Sequence, residues 1–189
     1  MKQSTKTRPH FERLLLVSGM KEAGKSTLLR GMFADPHFGR MGVIPKEPKI
    51  KLIALSRERC LSIRCSSPHE MGEDFRKFFG KLDRTMELAR EERFRRFNFA
   101  CAVQPRNVGR MPGIVEICHE VKTRLNPERI RIVQIHLRQD KEDGSLLTPS
   151  DVDKLRKMQV EIMTLDGHGS PPRQRIPNGL LLADFFDFT

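Results

Sequence analysis

Gly19-Met20-Lys21-Glu22-Ala23-Gly24-Lys25-Ser26-Thr27 is the stretch on which the reading of this chain turns. Just before it, Arg13–Gly19 reads RLLLVSG, a continuous apolar run suited to a strand covered on both faces. Just after it, Leu28, Leu29, Met32 and Phe33 recur at helical spacing, and Asp35-Pro36 closes the helix. The loop between them fits G-x-x-x-x-G-K-[ST], in the strand–turn–helix setting that gives the pattern its meaning. Gly19 and Gly24 let the backbone turn tightly and aim N–H groups at phosphate oxygens. The helix start adds its partial positive charge. Lys25 would reach the β- and γ-phosphates of a nucleotide, and Ser26 would offer its hydroxyl to Mg²⁺. Thr27 would begin the packing of the helix. Met20, Lys21, Glu22 and Ala23 complete the loop, with Lys21 either on a phosphate or facing solvent.

This segment resembles the P-loop NTPase superfamily, and the resemblance implies binding of a nucleoside triphosphate, GTP or ATP, together with Mg²⁺. Outward from it the pattern alternates. Residues 1–12 read as a mobile basic arm and 13–189 as one nucleotide-binding domain. Pro36, Gly39, Gly42, Pro45 and Pro48 mark residues 36–48 as a loop. Period-two runs at Ile50–Leu55 and Leu61–Cys65, separated by Ser56–Arg59, predict an antiparallel hairpin. A long helix is expected from Met71 to Arg95, with Phe75, Phe78, Phe79, Leu82, Met86 and Ala89 inward. Strands are expected at Phe97–Val103, Ile130–Leu137 and Val160–Leu165. Helices are expected at Ile114–Leu125 and after Thr148-Pro149, and a helix, with a strand as the alternative, at Leu180–Phe188, following a loop at 167–177. Strands alternating with helices predict an α/β fold of three layers, with a mostly parallel sheet of about six strands and one antiparallel strand.

That element order resembles the G domain of small and translational GTPases across most of residues 13–188. At the level of motifs the resemblance is partial. Cys65-Ser66-Ser67-Pro68-His69-Glu70 stands where the family carries D-x-x-G. Cys65 replaces the Mg²⁺-linked Asp, and Pro68, which has no N–H, replaces the Gly that meets the γ-phosphate. His69 falls where the resemblance implies a water-positioning residue, and equally reads as a loop histidine. Leu137-Arg138-Gln139-Asp140 stands where the family carries N-K-x-D. The resemblance implies that Asp140 accepts from the guanine N–H groups and that Arg138 stacks on the base; a charged surface loop is the alternative. The loop 36–48 contains no Ser or Thr for a second Mg²⁺ contact. The expectation is a GTPase-like switch with slow or partner-stimulated hydrolysis, since phosphoryl transfer depends mainly on positioning and charge neutralisation.

Composition narrows the rest. The 189 residues carry 35 Lys and Arg against 24 Asp and Glu, a net charge of +11. Such a charge either keeps the chain soluble or favours a polyanionic partner: RNA, a ribosome or an acidic protein. With no Trp and no Tyr, base stacking would fall to Phe and Arg, which weakens a single-strand binding role. No apolar run approaches the ~20 residues that span a bilayer. Cys60, Cys65, Cys101 and Cys118 show no metal-ligand spacing and read as reduced, mostly buried thiols in a cytoplasmic setting. One rival reading is an ATP-dependent small-molecule or nucleotide kinase, with Arg106, Arg110, Arg173 and Arg175 as phosphate-covering arginines and Asp35, Glu47 or Asp74 as acceptor-side carboxylates. Another is a non-hydrolysing nucleotide-binding module that docks through Arg90–Arg96 (REERFRR).

Overall fold

The computed structural model describes residues 7–38, 44–136, 147–166 and 172–186; for 37, 166 and 172–177 it describes the backbone alone. The elements are β1 (His10–Ser18), α1 (Lys25–Gly31), β2 (Lys49–Ala54), β3 (Arg59–Arg64), α2 (Phe75–Glu91), β4 (Arg96–Val103), α3 (Ile114–Leu125), β5 (Arg129–His136), α4 (Pro149–Lys157), β6 (Glu161–Asp166) and α5 (Pro172–Ala183). The sheet has six strands in the order β2-β3-β4-β1-β5-β6. Among the described strands only the β2–β3 pair is antiparallel. The expected α/β class, the mostly parallel sheet and the hairpin are all present.

β1 shows why its sequence has no polar alternation. Leu14 and Leu16 enter one core, while Leu15 and Val17 enter the other, so every position needs an apolar side chain. On the first face lie Phe78, Phe79, Leu82 and Met86 of α2, Ile117 and Val121 of α3, and Leu155 of α4. On the second lie Leu29 of α1, Met32, Phe33, Leu182 of α5, and Phe185 and Phe186 just beyond it. The split follows from connection direction. The connection leaving β1 runs toward the β2 edge, whereas those from β3 through β4 and β5 to β6 run the opposite way. Crossovers of one hand then place α1 and α2–α4 on opposite faces. The reversal at β1 creates a crevice beyond its carboxyl end, the place where open α/β sheets bind ligands.

Several boundaries differ from the sequence reading, each for a physical reason. β1 already begins at His10, within the expected arm, because Phe11 is buried and the Glu12 carboxylate is held by Arg59, Arg96 and Asn98. α2 starts at Phe75 rather than Met71 because the Asp74 carboxylate accepts from the Lys77 N–H at 2.7 Å and sets the N-cap. It ends at Glu91, and Arg93 turns left-handed, with φ 67°. The Arg90–Arg96 run is therefore not one helical face. Arg90 pairs with Glu87, Arg95 with Glu58, and Arg96 with Glu12 and Glu128, which neutralises much of it internally. α5 begins at Pro172, inside the expected loop, with proline at its first position where the missing N–H costs nothing.

Burial pushes the Glu12 carboxyl up, but the hydrogen bonds from Asn98 and Arg59, with the charges of Arg59 and Arg96, outweigh that effect and leave it lowered. All four cysteines are free and buried, and burial raises the thiols of Cys60 and Cys101 to about 12. No helix among the described residues is long and apolar enough to cross a membrane.

Candidate phosphate-binding site

The loop Gly19–Gly24 lies between β1 and α1 at that crevice. Gly24 is the N-cap of α1 at φ 86°, a conformation that L side chains rarely adopt. With no side chain at the cap, the first-turn N–H groups of α1 remain free of any side-chain acceptor. Gly19 is favoured for another reason: a Cβ there would sit 3.0 Å from the Ala23 Cβ, a tight contact inside the turn. Glu22 is held at φ 66°, a strained value for a non-glycine residue. Met20, Lys21 and Glu22 are exposed, whereas Ala23 is buried. Thr27 is exposed, so Leu29 and not Thr27 carries the packing of α1.

Lys25 is the centre of the site. It is 4% exposed, and its ammonium donates to the carbonyl of Gly19 at 2.9 Å and that of Met20 at 2.6 Å. It also donates to Glu70 Oε1 at 3.0 Å. The side chain is thus folded over its own loop, and a partly exposed carboxylate sits on its open side. A carboxylate oxygen on that ammonium has the charge and the hydrogen-bonding character of a phosphate oxygen.

The Ser26 hydroxyl donates to the Cys65 carbonyl at 2.7 Å, which ties α1 to the segment after β3. Its proton is used, and its lone pairs stay available to a hard cation. Cys65, in the place of an aspartate, is a buried thiol whose pKa burial raises, the Arg30 charge opposing, so it is not a hard ligand. Among the described residues there is no cluster of three acidic, His or Cys groups able to hold a metal. A Mg²⁺ ion arriving with a nucleotide would find Ser26 as its protein ligand, with phosphate oxygens and water as the others.

His69 is buried, and both ring nitrogens are engaged. The Gln104 N–H donates to Nδ1 at 3.3 Å, with Ser67 Oγ at the same distance, so Nε2 carries the proton and donates to the Pro112 carbonyl at 2.8 Å. This ring joins the loop after β3 to the loops that follow β4. Nothing in a single loop sequence signals that arrangement, because Gln104 and Pro112 lie more than thirty residues away. Burial, opposed by the Pro112 hydrogen bond, lowers the His69 pKa, and the Lys25 charge lowers it further against Glu70. The sign follows: the unfolded chain takes up a proton near the ordinary histidine pKa of ~6.5, while the folded chain resists until lower pH. Stability contributed by this group is present above about pH 6.5 and is lost as pH falls below it. Unfolding free energy measured by urea from pH 7.5 to 5 is expected to fall, and His69→Gln is expected to flatten that slope. An identical slope in the variant would remove His69 as its source.

The other sequence candidates separate. Arg106 and Arg110 are exposed on the loop after β4, at the same carboxyl edge as the phosphate loop. Asp74 caps α2. The side chains of Arg173 and Arg175, and all of Arg138 and Asp140, lie outside the described residues, as do residues 39–43 of the loop 36–48. Glu70, the last residue of the segment that stands where the family carries D-x-x-G, is the residue that the fold brings to Lys25. Among family models, curated proteins and solved structures, none matches this chain.

Proposed function

We propose that this chain binds a nucleoside triphosphate with Mg²⁺ at Gly19–Thr27 and acts as a slow or partner-stimulated nucleotide hydrolase. The observation that carries the reading is the buried Lys25 ammonium, fixed on two loop carbonyls and facing Glu70, at the carboxyl end of β1, where the connections between strands change direction. Gly24 and Gly19 fit a backbone that must wrap phosphate oxygens. Slow turnover is supported by Pro68, which lacks an N–H for a γ-phosphate, and by His69, whose ring is committed inside the protein. His69 is then a positioning residue. Asp140 and Arg138 would give a preference for guanine.

Triphosphate must displace Glu70 from Lys25. Glu70 is followed by Met71–Asp74, which leads into α2, and is preceded by His69 and Cys65, so displacement would move a segment tied to α1 and to the loop after β4. Glu70→Gln removes the competing charge without changing shape. It is expected to tighten GTP or ATP binding about fivefold, the scale of a partly exposed ion pair. Titration with fluorescent GTP, ATP and their diphosphates, with and without Mg²⁺, followed by phosphate release, tests the reading. Tighter binding with GTP favoured supports it; no binding of either triphosphate would sink it. Equal affinity for GTP and ATP would remove Asp140 from the site.

A further inference from the structure

We infer that the cavity between α2, β2 and the segment following β3 is a second binding site, for a small anion with an apolar body. Its volume is about 410 Å³, within the range of small-molecule sites. None of the residues Gly19–Thr27 lines it, so the inference does not rest on nucleotide binding.

The charge around this cavity is one-sided. Lys49 enters from β2, Arg64 from the end of β3, and Lys81 and Arg84 from α2, against Glu73 alone. Glu73 is already committed: it accepts from Arg64 Nη1 at 2.8 Å and from Lys81. Lys49 and Arg84 form no ion pair among the described residues. Like charges brought together repel and cost folding free energy unless a counter-charge offsets them. Burial lowers the Lys49 pKa, and the charges of Arg64, Lys81 and Lys51 lower it further against Glu73. A neighbouring depression shares Lys49 and Arg84 and also holds Glu87 and Glu91, neither of which lines this cavity.

The floor is apolar. Phe78, Leu82 and Phe99 line it from the first core, and Met71, 61% exposed, stands over it. A ligand that uses both features carries a phosphate or carboxylate toward Lys49 and Arg84 and a ring or branched chain toward Met71 and Phe78. A bare inorganic anion would use only the first.

The test is a titration of protein labelled with ¹³C-methyl methionine, read by NMR, with phenyl phosphate as the probe and phenol as its uncharged control. Met71 reports on the cavity and Met20 on the phosphate loop, so binding at the two places is read separately. Phenyl phosphate is expected to move the Met71 methyl signal to saturation, and phenol is not. Lys49→Ala combined with Arg84→Ala, both exposed positions away from the core, is expected to weaken that binding about tenfold. An unmoved Met71 signal, equal affinity in the double variant, or equal saturation by phenol would each overturn the inference. Nucleotide binding read at Met20 stands or falls independently.

Discussion

Replacing Gly179 with alanine is expected to lower the unfolding free energy by about 3 kcal/mol, an overpacking effect at the upper end of its usual range. The reason is contact between two main chains. A Cβ at Gly179 of α5 would lie 2.3 Å from the Gly31 carbonyl carbon and 2.4 Å from its oxygen, at the end of α1. Neither atom can rotate away as a side-chain tip can. Intrinsic helix propensity pushes the other way, since alanine is favoured over glycine in a helix by about 1 kcal/mol. The clash is larger, so the net sign is destabilising. Relief requires α5 to lift from α1, which would also disturb Leu182, Ala183, Phe185 and Phe186 in the second core. Urea unfolding of Gly179→Ala beside Leu181→Ala makes the comparison. Leu181 is 40% exposed on the same helix and should cost well under 1 kcal/mol. Equal midpoints for the two variants would mean that α5 does not cross α1 at these glycines.

Lys25→Ala is expected to weaken triphosphate binding about a hundredfold while leaving the protein folded, the scale of losing a charged hydrogen-bonding group from a phosphate site. In the folded protein the ammonium bridges the Gly19 and Met20 carbonyls and Glu70. Its loss leaves Glu70 partly exposed, so water can take over much of that contact. The stability effect should therefore be smaller than the binding effect. Arginine should not restore binding, because a planar guanidinium cannot replace a compact ammonium folded over two carbonyls. The measurement is a fluorescent-nucleotide titration with circular dichroism and urea unfolding on the same samples. A folded Lys25→Ala variant that binds as tightly as the parent would remove Gly19–Thr27 as the phosphate site. Read with Glu70→Gln, the pair has opposite expected signs, which a general loss of structure cannot produce.

The legibility of this chain differs between its elements and its contacts. The loop Gly19–Thr27 could be read because all its determinants are local: an apolar strand, two glycines and an amphipathic helix within a short span. The helix starts at Asp74 and Thr148 are local too, but only the Thr148 cap was legible. Its Pro149 marks the turn, whereas Asp74 competes with the glycines and acids around it. His69 illustrates the opposite case. Its sequence setting resembles a water-facing position, and the fold buries it between Gln104 and Pro112.

By itself, then, the sequence determined the element order, the strand covered on both faces, the hairpin and the glycine loop between strand and helix, because period and turn chemistry act over a few residues. Tertiary structure alone decided that β1 lies between β4 and β5, that Glu70 reaches Lys25, that Gly179 meets Gly31 and that four cations line one cavity with Glu73. Those pairings join residues far apart in the chain, and hydrophobic patterning states which face of an element is buried without stating against what.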